Sequence, residues 1–228
     1  MLRLLERKWR EIGRPLGPLP FAYFLLSRML QVAFRGWIRL VVYRVYVQSL
    51  IDSQVALRSG YTLIEVNEGS DDERIAKRPE KILQLRRRLG YRCFGLRFKN
   101  EPIAYAWFAT GGDYLEDEVR LRYVMADPEK TVWDFDIFVV PKSRAGWAFQ
   151  QLWQGCGNRL GHEGFTDTAS RIHLSNVNSI LSHERLGARA VATLVVLAFG
   201  RVELLYRPWP ILLRISVNKA TKVMVDRR

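Results

Sequence analysis

The chain has 228 residues, 48% of them apolar and 26% charged, an ordinary globular composition at a length that favours one domain plus an extension. This excludes disordered, collagen-like and coiled-coil chains. Cys93 and Cys156 match no CxxC spacing, which excludes a disulfide scaffold and fits reduced thiols in a cytoplasmic protein. With three histidines beside them, the sequence offers no metal-binding motif.

Charge is unevenly placed. Residues 1–60 hold 10 Lys+Arg against 3 Asp+Glu, residues 201–228 hold 7 against 2, and residues 61–200 hold 19 against 18. A nearly neutral middle with basic ends fits an anionic membrane surface or an acidic partner, and argues against nucleic acid. No apolar run is long enough to span a bilayer, and the basic start followed by an interrupted apolar run is unlike a secretory signal. The expected location is the cytoplasm, with peripheral contact at the inner membrane face as an option.

In chain order, residues 2–14 predict a helix with Arg3, Arg7, Arg10 and Arg14 on one stripe. Prolines at 15, 18 and 20 break it. Residues 21–35 predict a second amphipathic helix with a wide apolar face that includes Phe21, Phe24, Met29 and Phe34. That face must be covered by the protein's own core, by an anionic membrane surface through residues 1–36, or by a second copy in a homodimer. Strands are predicted at 37–50, 62–67, 92–98, 103–110, 119–125, 131–140, 171–174, 190–199 and 202–206. Helices are predicted at 71–89, 145–160 and 178–186, and an acidic loop at 113–118. This order implies a mixed α/β fold, a sheet covered by helices. The division expected is a basic amphipathic extension over 1–60, a folded domain over 61–207 and a basic tail over 208–228.

Two segments carry chemistry. The first is Val139-Val140-Pro141-Lys142-Ser143-Arg144-Ala145-Gly146-Trp147-Ala148-Phe149, a strand turning into a helix. Free N–H groups in a helix's first turn, with Lys142 and Arg144 nearby, suit an anion. The second is Asn176-Val177-Asn178-Ser179, with His183 and Gly187 following, where Asn178 can cap a helix and Gly187 can end it.

Together these segments resemble the GNAT superfamily of N-acyltransferases. Asn176, Ser179, His183 and Gly187 fall in the register of the family's late signature, with His183 at its Tyr position and Ala188 in place of Phe. Pro141, Arg144 and Gly146 match the upstream signature in part, while Trp147 and Phe149 stand where small residues are usual. The resemblance covers about residues 60–207. It implies a central mixed sheet whose strands at 133–140 and 171–175 run parallel and splay apart. An acetyl-CoA or other acyl-CoA would lie in the gap as co-substrate, with no metal. Val139 and Val140 would pair with its pantetheine, and their N–H groups would polarise the thioester. Arg144, Ala145, Gly146, Trp147, Ala148 and Phe149 would take the pyrophosphate, and Asn176 and Ser179 would flank the arm. An amine of a small molecule or protein would be the acceptor. Asp134 or Asp136 would act as base and His183, as imidazolium, would protonate the leaving thiolate. The acidic residues Asp113, Glu116, Asp117 and Glu118 could attract a cationic amine, and Trp107, Tyr123 and Trp133 are candidates for the acceptor pocket or the core. The alternative is a non-catalytic GNAT-like module that binds a membrane or protein partner.

Overall fold

The computed structural model describes residues 2–50, 55–75, 78–116, 118–144 and 146–226. At the N-terminus, α1 (Leu2–Lys8) runs into a π-helical turn at Trp9–Gly13 and then α2 (Arg14–Leu16). The helix expected over 2–14 therefore runs unbroken from Leu2 to Leu16, with a π turn inside it. The wider π turn shifts later residues off the 100° spacing. The proline break narrows to Gly17, at φ 91°, because Pro18 and Pro20 sit in the first turn of α3 (Pro18–Ala33). There a missing N–H has no helical partner to lose. Gly36, at φ 80°, closes α3 by returning its N–H to the Gln31 carbonyl.

The strands are β1 (Ile38–Ser49), β2 (Tyr61–Glu65), β3 (Arg92–Phe98), β4 (Glu101–Ala109), β5 (Asp113–Leu115), β6 (Leu121–Met125), β7 (Thr131–Val139), β8 (Asp167–His173), β9 (Arg189–Phe199), β10 (Val202–Arg207), β11 (Leu212–Val217) and β12 (Thr221–Val225). The remaining helices are α4 (Asp71–Arg74), α5 (Glu80–Arg88), α6 (Ala148–His162) and α7 (Val177–Arg185). Nine strands form one sheet in the order β11-β10-β9-β1-β8-β7-β4-β3-β2, and β12-β6-β5 form a second, smaller sheet. In the large sheet β7 and β8 are parallel and the other neighbours are antiparallel. This is a mixed α/β fold.

Segments expected as extension and tail contribute to these same sheets. β1 sits between β8 and β9, pairing Tyr43 with His173 and Leu40 with Leu197. β11 and β12 both lie beyond residue 207, and β12 pairs in parallel with β6.

β8 ends at His173 while β1 continues back to Ile38, which leaves the edge of β1 open toward α3. Side chains of α3 satisfy that edge. Tyr23 Oη accepts from the Val42 N–H at 3.1 Å, and Ser27 Oγ donates to the Leu40 carbonyl at 2.8 Å. Tyr23→Phe removes the acceptor and leaves a part-buried N–H unmet. A loss of about 1–2 kcal/mol is expected in urea unfolding, with the m-value unchanged. α3 uses only part of its apolar face in this way: Pro20 is buried, Phe21, Phe24 and Leu25 are half-buried, and Met29 and Phe34 are exposed.

The two faces of the large sheet carry separate cores. On one, Val132, Phe94, Leu96 and Phe108 pack against Leu152, Cys156 and Leu160 of α6. On the other, Tyr43, Val45, Trp133, Leu194 and Val196 pack against Tyr114, Tyr123, Val223 and Val225 of the small sheet. Tyr123 stacks on Trp133 with ring centroids 4.3 Å apart.

Candidate functional site

The site begins with a pair of strands that part. β7 and β8 pair only at Thr131–Asp167, Val132–Thr168 and Trp133–Ala169, yet β7 runs on to Val139 and β8 to His173. On its other edge β7 carries an extra residue against β4, between the pairs Trp107–Phe135 and Tyr105–Phe138. Asp136 lies in that bulge at φ 49°. A bulge bends and twists its strand, and here it accompanies the swing of β7 away from β8. The gap is a cavity of about 560 Å³, within the range of small-ligand sites.

Asp134 sits at the crotch of the gap, one residue past the last β7–β8 pair, and is 3% exposed. Thr168 Oγ1 of β8 donates to its carboxylate, and Ser170 of β8 is a second hydroxyl partner. Burial outweighs those hydrogen bonds and raises its pKa to about 7. Asp136, expected as an equivalent candidate, is differently placed. It accepts from Arg78 Nε at 2.8 Å and from Arg86 Nη1 at 2.6 Å. Its charge is held between two guanidinium groups, which corrects the expectation of a base there.

His183 lines the cavity as expected, but its expected charge does not hold. It is 3% exposed and packs edge-on against Phe149 and Trp153. Burial lowers its pKa to about 4, so the ring is neutral at neutral pH and supplies no imidazolium. Asn176 and Ser179 also line the cavity. Asn176, rather than Asn178, is the N-cap of α7, its Oδ1 accepting from the Ser179 N–H at 3.3 Å.

The strand–turn–helix segment lies apart from the cavity wall. None of Val139, Val140, Arg144, Gly146, Trp147, Ala148 and Phe149 is among the lining residues, and Ala145 lies outside the described residues. The Val140 N–H donates to the Ile103 carbonyl at 2.9 Å, so it is not available to polarise a thioester, a second correction. Alternation along β7 turns the Val139 N–H and carbonyl to the opposite edge, toward the gap. The Val139 carbonyl there accepts from Arg144 Nε at 2.9 Å. Phe149 fills space beside His183 and stacks on Trp153. Trp147 is 47% exposed, with the Arg58 guanidinium 3.4 Å above its ring. Arg58 thus brings a cation to the start of α6, where sequence spacing gave no sign of it.

Sequence reasoning also missed Arg78, Arg86, Arg171 and His173 in the cavity wall. Arg171 grips Glu116 with two hydrogen bonds, one of 2.8 Å from Nη2. Glu118 accepts from Tyr43 Oη at 2.6 Å. Two members of the acidic loop therefore reach the cavity. Asp113 instead pairs with Arg122, and Asp117 lies outside the described residues. Of the aromatic candidates, Trp133 lines both core and cavity, while Trp107 and Tyr123 are core. His173 Nε2 lies 3.0 Å from Tyr23 Oη and Nδ1 lies 2.7 Å from Ser175 Oγ; burial lowers its pKa. Glu118 and His173 also border a second cavity of about 490 Å³ under α1 and α3, lined by Phe24, Leu25, Leu40 and Val41. Among the described residues no cluster of three metal-ligand side chains occurs, and no helix is long and apolar enough to cross a membrane.

No family profile and no curated protein sequence matches the chain. Solved structures do. A GCN5-related N-acetyltransferase from Kribbella flavida is 13% identical, with 74% of this chain and 62% of that one covered and a TM-score of 0.45. Another from Sphaerobacter thermophilus is 14% identical, with 74% and 54% covered and a TM-score of 0.43. A conserved protein of unknown function from Staphylococcus epidermidis is 10% identical, with 73% and 64% covered and a TM-score of 0.48. The chain spans between 54% and 64% of the length of these structures.

Proposed function

We propose that the protein is an N-acyltransferase that moves an acetyl or other acyl group from acyl-CoA to an amine. The observation that carries this reading is Asp134, a buried carboxyl tuned to about 7 inside the cavity between parting parallel strands. A base is most useful when its pKa lies near the working pH, and an amine nucleophile must lose a proton. The amine nitrogen bonds to the thioester carbonyl carbon and the carbon–sulfur bond breaks. Asp134 accepts the proton from nitrogen and returns it to the departing thiolate, so the carboxylate is regenerated. This takes over the role first expected of His183, whose neutral ring lines the wall.

Residues at the start of α6 fit the donor's phosphates. Arg58 and Arg144 bring two cations, and the first-turn N–H groups of the helix have no intrahelical partners. The Val139 N–H, turned to the gap, is the backbone donor for the pantetheine arm or thioester carbonyl. Glu118 lines the cavity and would attract a cationic amine, while the charge of Glu116 is taken by Arg171.

Thermal shift with CoA and acetyl-CoA, followed by thiol release with a panel of amines, tests the reading. At a hundred-fold excess over Kd, bound CoA should add about 2.7 kcal/mol. Gly146→Asp, which puts a negative charge at the phosphate position, should cut that gain at least ten-fold in affinity. No shift with any CoA thioester would overturn the reading. A second reading rests on Phe149 and Trp147, which fill positions where small residues would open the helix to phosphate. In that case the protein is a non-catalytic GNAT-like module that binds a membrane or protein partner, and CoA would give neither a thermal shift nor thiol release.

A further inference from the structure

The second cavity, of about 490 Å³ beneath α1 and α3, is again within the range of small-ligand sites. Its origin is the way α3 meets β1. The side chains of Tyr23 and Ser27, rather than backbone groups, reach the edge of β1 at Val42 and Leu40. The helix therefore stands a side chain's length away from the strand. The space left is walled by Leu5 of α1, Phe24 and Leu25 of α3, and Leu40 and Val41 of β1. Walls of this kind favour an apolar chain over water.

This cavity and the one between β7 and β8 share two wall residues, Glu118 and His173. At the shared wall the Glu118 carboxylate accepts from the neutral phenol of Tyr43, while Arg39 bonds the Glu118 backbone carbonyl. The carboxylate can therefore take an ammonium. Burial lowers the pKa of His173, so it brings no positive charge beside Glu118 at neutral pH. On the walls of the second cavity, by contrast, Lys8, Arg28 and Arg39 repel an ammonium. Charge thus orients an amine that carries an apolar chain: the nitrogen points to Glu118 and the first cavity, the chain lies under α3. Sheet order keeps the donor away from this space. The donor's arm follows Val139 on β7, whereas the second cavity lies along β1, on the far side of β8.

We propose that the two cavities form one acceptor site, and that the acceptor is a primary amine with an unbranched apolar chain, its nitrogen between Glu118 and Asp134 and its chain seated between α3 and β1. This rests on the acyltransferase reading for the fate of the amine, and the chemical step is unchanged. Seating of the chain does not depend on that reading.

Calorimetric titration of the full chain with n-alkylamines from butylamine to decylamine, below their micelle concentrations and without CoA, tests it. Each methylene taken out of water should tighten binding about four-fold, so octylamine should bind at least about fifty-fold more tightly than butylamine even with part of its chain exposed. Glu118→Gln should weaken amines of every length by about the same factor and leave the gain per methylene unchanged. Leu25→Trp, which fills the cavity, should abolish that gain with an unchanged circular dichroism spectrum. Should it fail to fold, Leu5→Trp on α1 fills the same space from outside the sheets. An affinity that is flat from butylamine to decylamine overturns the proposal. So does a gain per methylene that survives both substitutions, because the chain would then lie elsewhere. A length preference confined to the acyl group of the CoA thioester, read by thiol release, also overturns it. Flat affinity together with thiol release to short amines removes the chain-bearing acceptor alone. Chain-dependent binding without a thermal shift from any CoA thioester removes the transferase reading alone and leaves the chain site standing.

Discussion

Asp134→Asn is expected to lower turnover by about 10²–10⁴ while making the protein more stable above neutral pH. Both effects have one cause. The folded state holds this carboxyl near 7, above its ordinary 3.8, because ionising it inside the protein is unfavourable. The favourable contribution of the protonated form is fully present below pH 3.8 and is lost as pH rises through about 7. A shift of this size corresponds to about 4 kcal/mol across that window. The amide carries no such penalty and still accepts from Thr168. The difference in unfolding free energy between variant and wild type should therefore grow in the variant's favour from pH 4 to pH 8. Denaturant titrations at pH 4, 6 and 8 would measure it. His183 works in the opposite sense. Its pKa is lowered from 6.5 to about 4, so its contribution is present above pH 6.5 and is lost as pH falls through about 4. The two slopes oppose each other between pH 4 and 6.5, so their combined contribution to the wild-type curve should be flat there, fall slightly from 6.5 to about 7 and be level above that. Wild-type kcat/KM should rise with pH through about 7, and the Asn variant should show no such limb. A turnover unchanged by Asp134→Asn would reduce this residue to a clasp between β7 and β8.

The second large effect is expected at Asp136. Asp136→Ala should cost about 3–5 kcal/mol in urea unfolding, more than most single substitutions. The Arg86 side chain is 10% exposed, and removing its carboxylate leaves a guanidinium desolvated without a counter-charge. A further loss comes from the backbone. At φ 49° the left-handed region is tolerated by Asn and Asp better than by Ala. Asp136→Asn keeps that tolerance and a hydrogen-bond acceptor, so it should cost clearly less. Equal losses in the two variants would place the whole effect in the ion pairs.

Much of this architecture is legible in the sequence because its signals are local. The hairpin around Lys99-Asn100 shows in its turn residues, both of which take positive φ, while the start of α7 was legible but its cap was read two residues late, at Asn178 instead of Asn176. The parting of β7 and β8 was expected only through family resemblance. What stayed hidden was placement. β1 has the composition of a strand, but no local pattern says that it sits between β8 and β9. β12 alternates Thr221, Val223 and Val225 inward with Lys222 and Met224 outward, a strand period that the surrounding charge obscured. Asp134 and Asp136 are two residues apart and would share a face in a regular strand, so sequence treated them alike. The bulge separates them, giving one a buried hydroxyl cradle and the other two arginines. His183 was placed on the cavity wall, but a one-dimensional pattern carries no measure of the burial that removes its charge.

The position of β1 has a consequence for synthesis and assembly. Its partners on the two sides, such as His173 for Tyr43 and Phe199 for Ile38, lie about 130 and 160 residues further along the chain. During translation Val41, Val45 and Val47 leave the ribosome long before any partner exists, and each is buried in the finished protein. The larger sheet cannot close around β1 until β9 has emerged. Contacts between such distant segments must overcome loop-closure entropy first, which makes folding slow and leaves an apolar strand unprotected for most of synthesis. The nascent chain is therefore a natural client for a holding chaperone, and refolding yields in vitro should fall steeply with protein concentration.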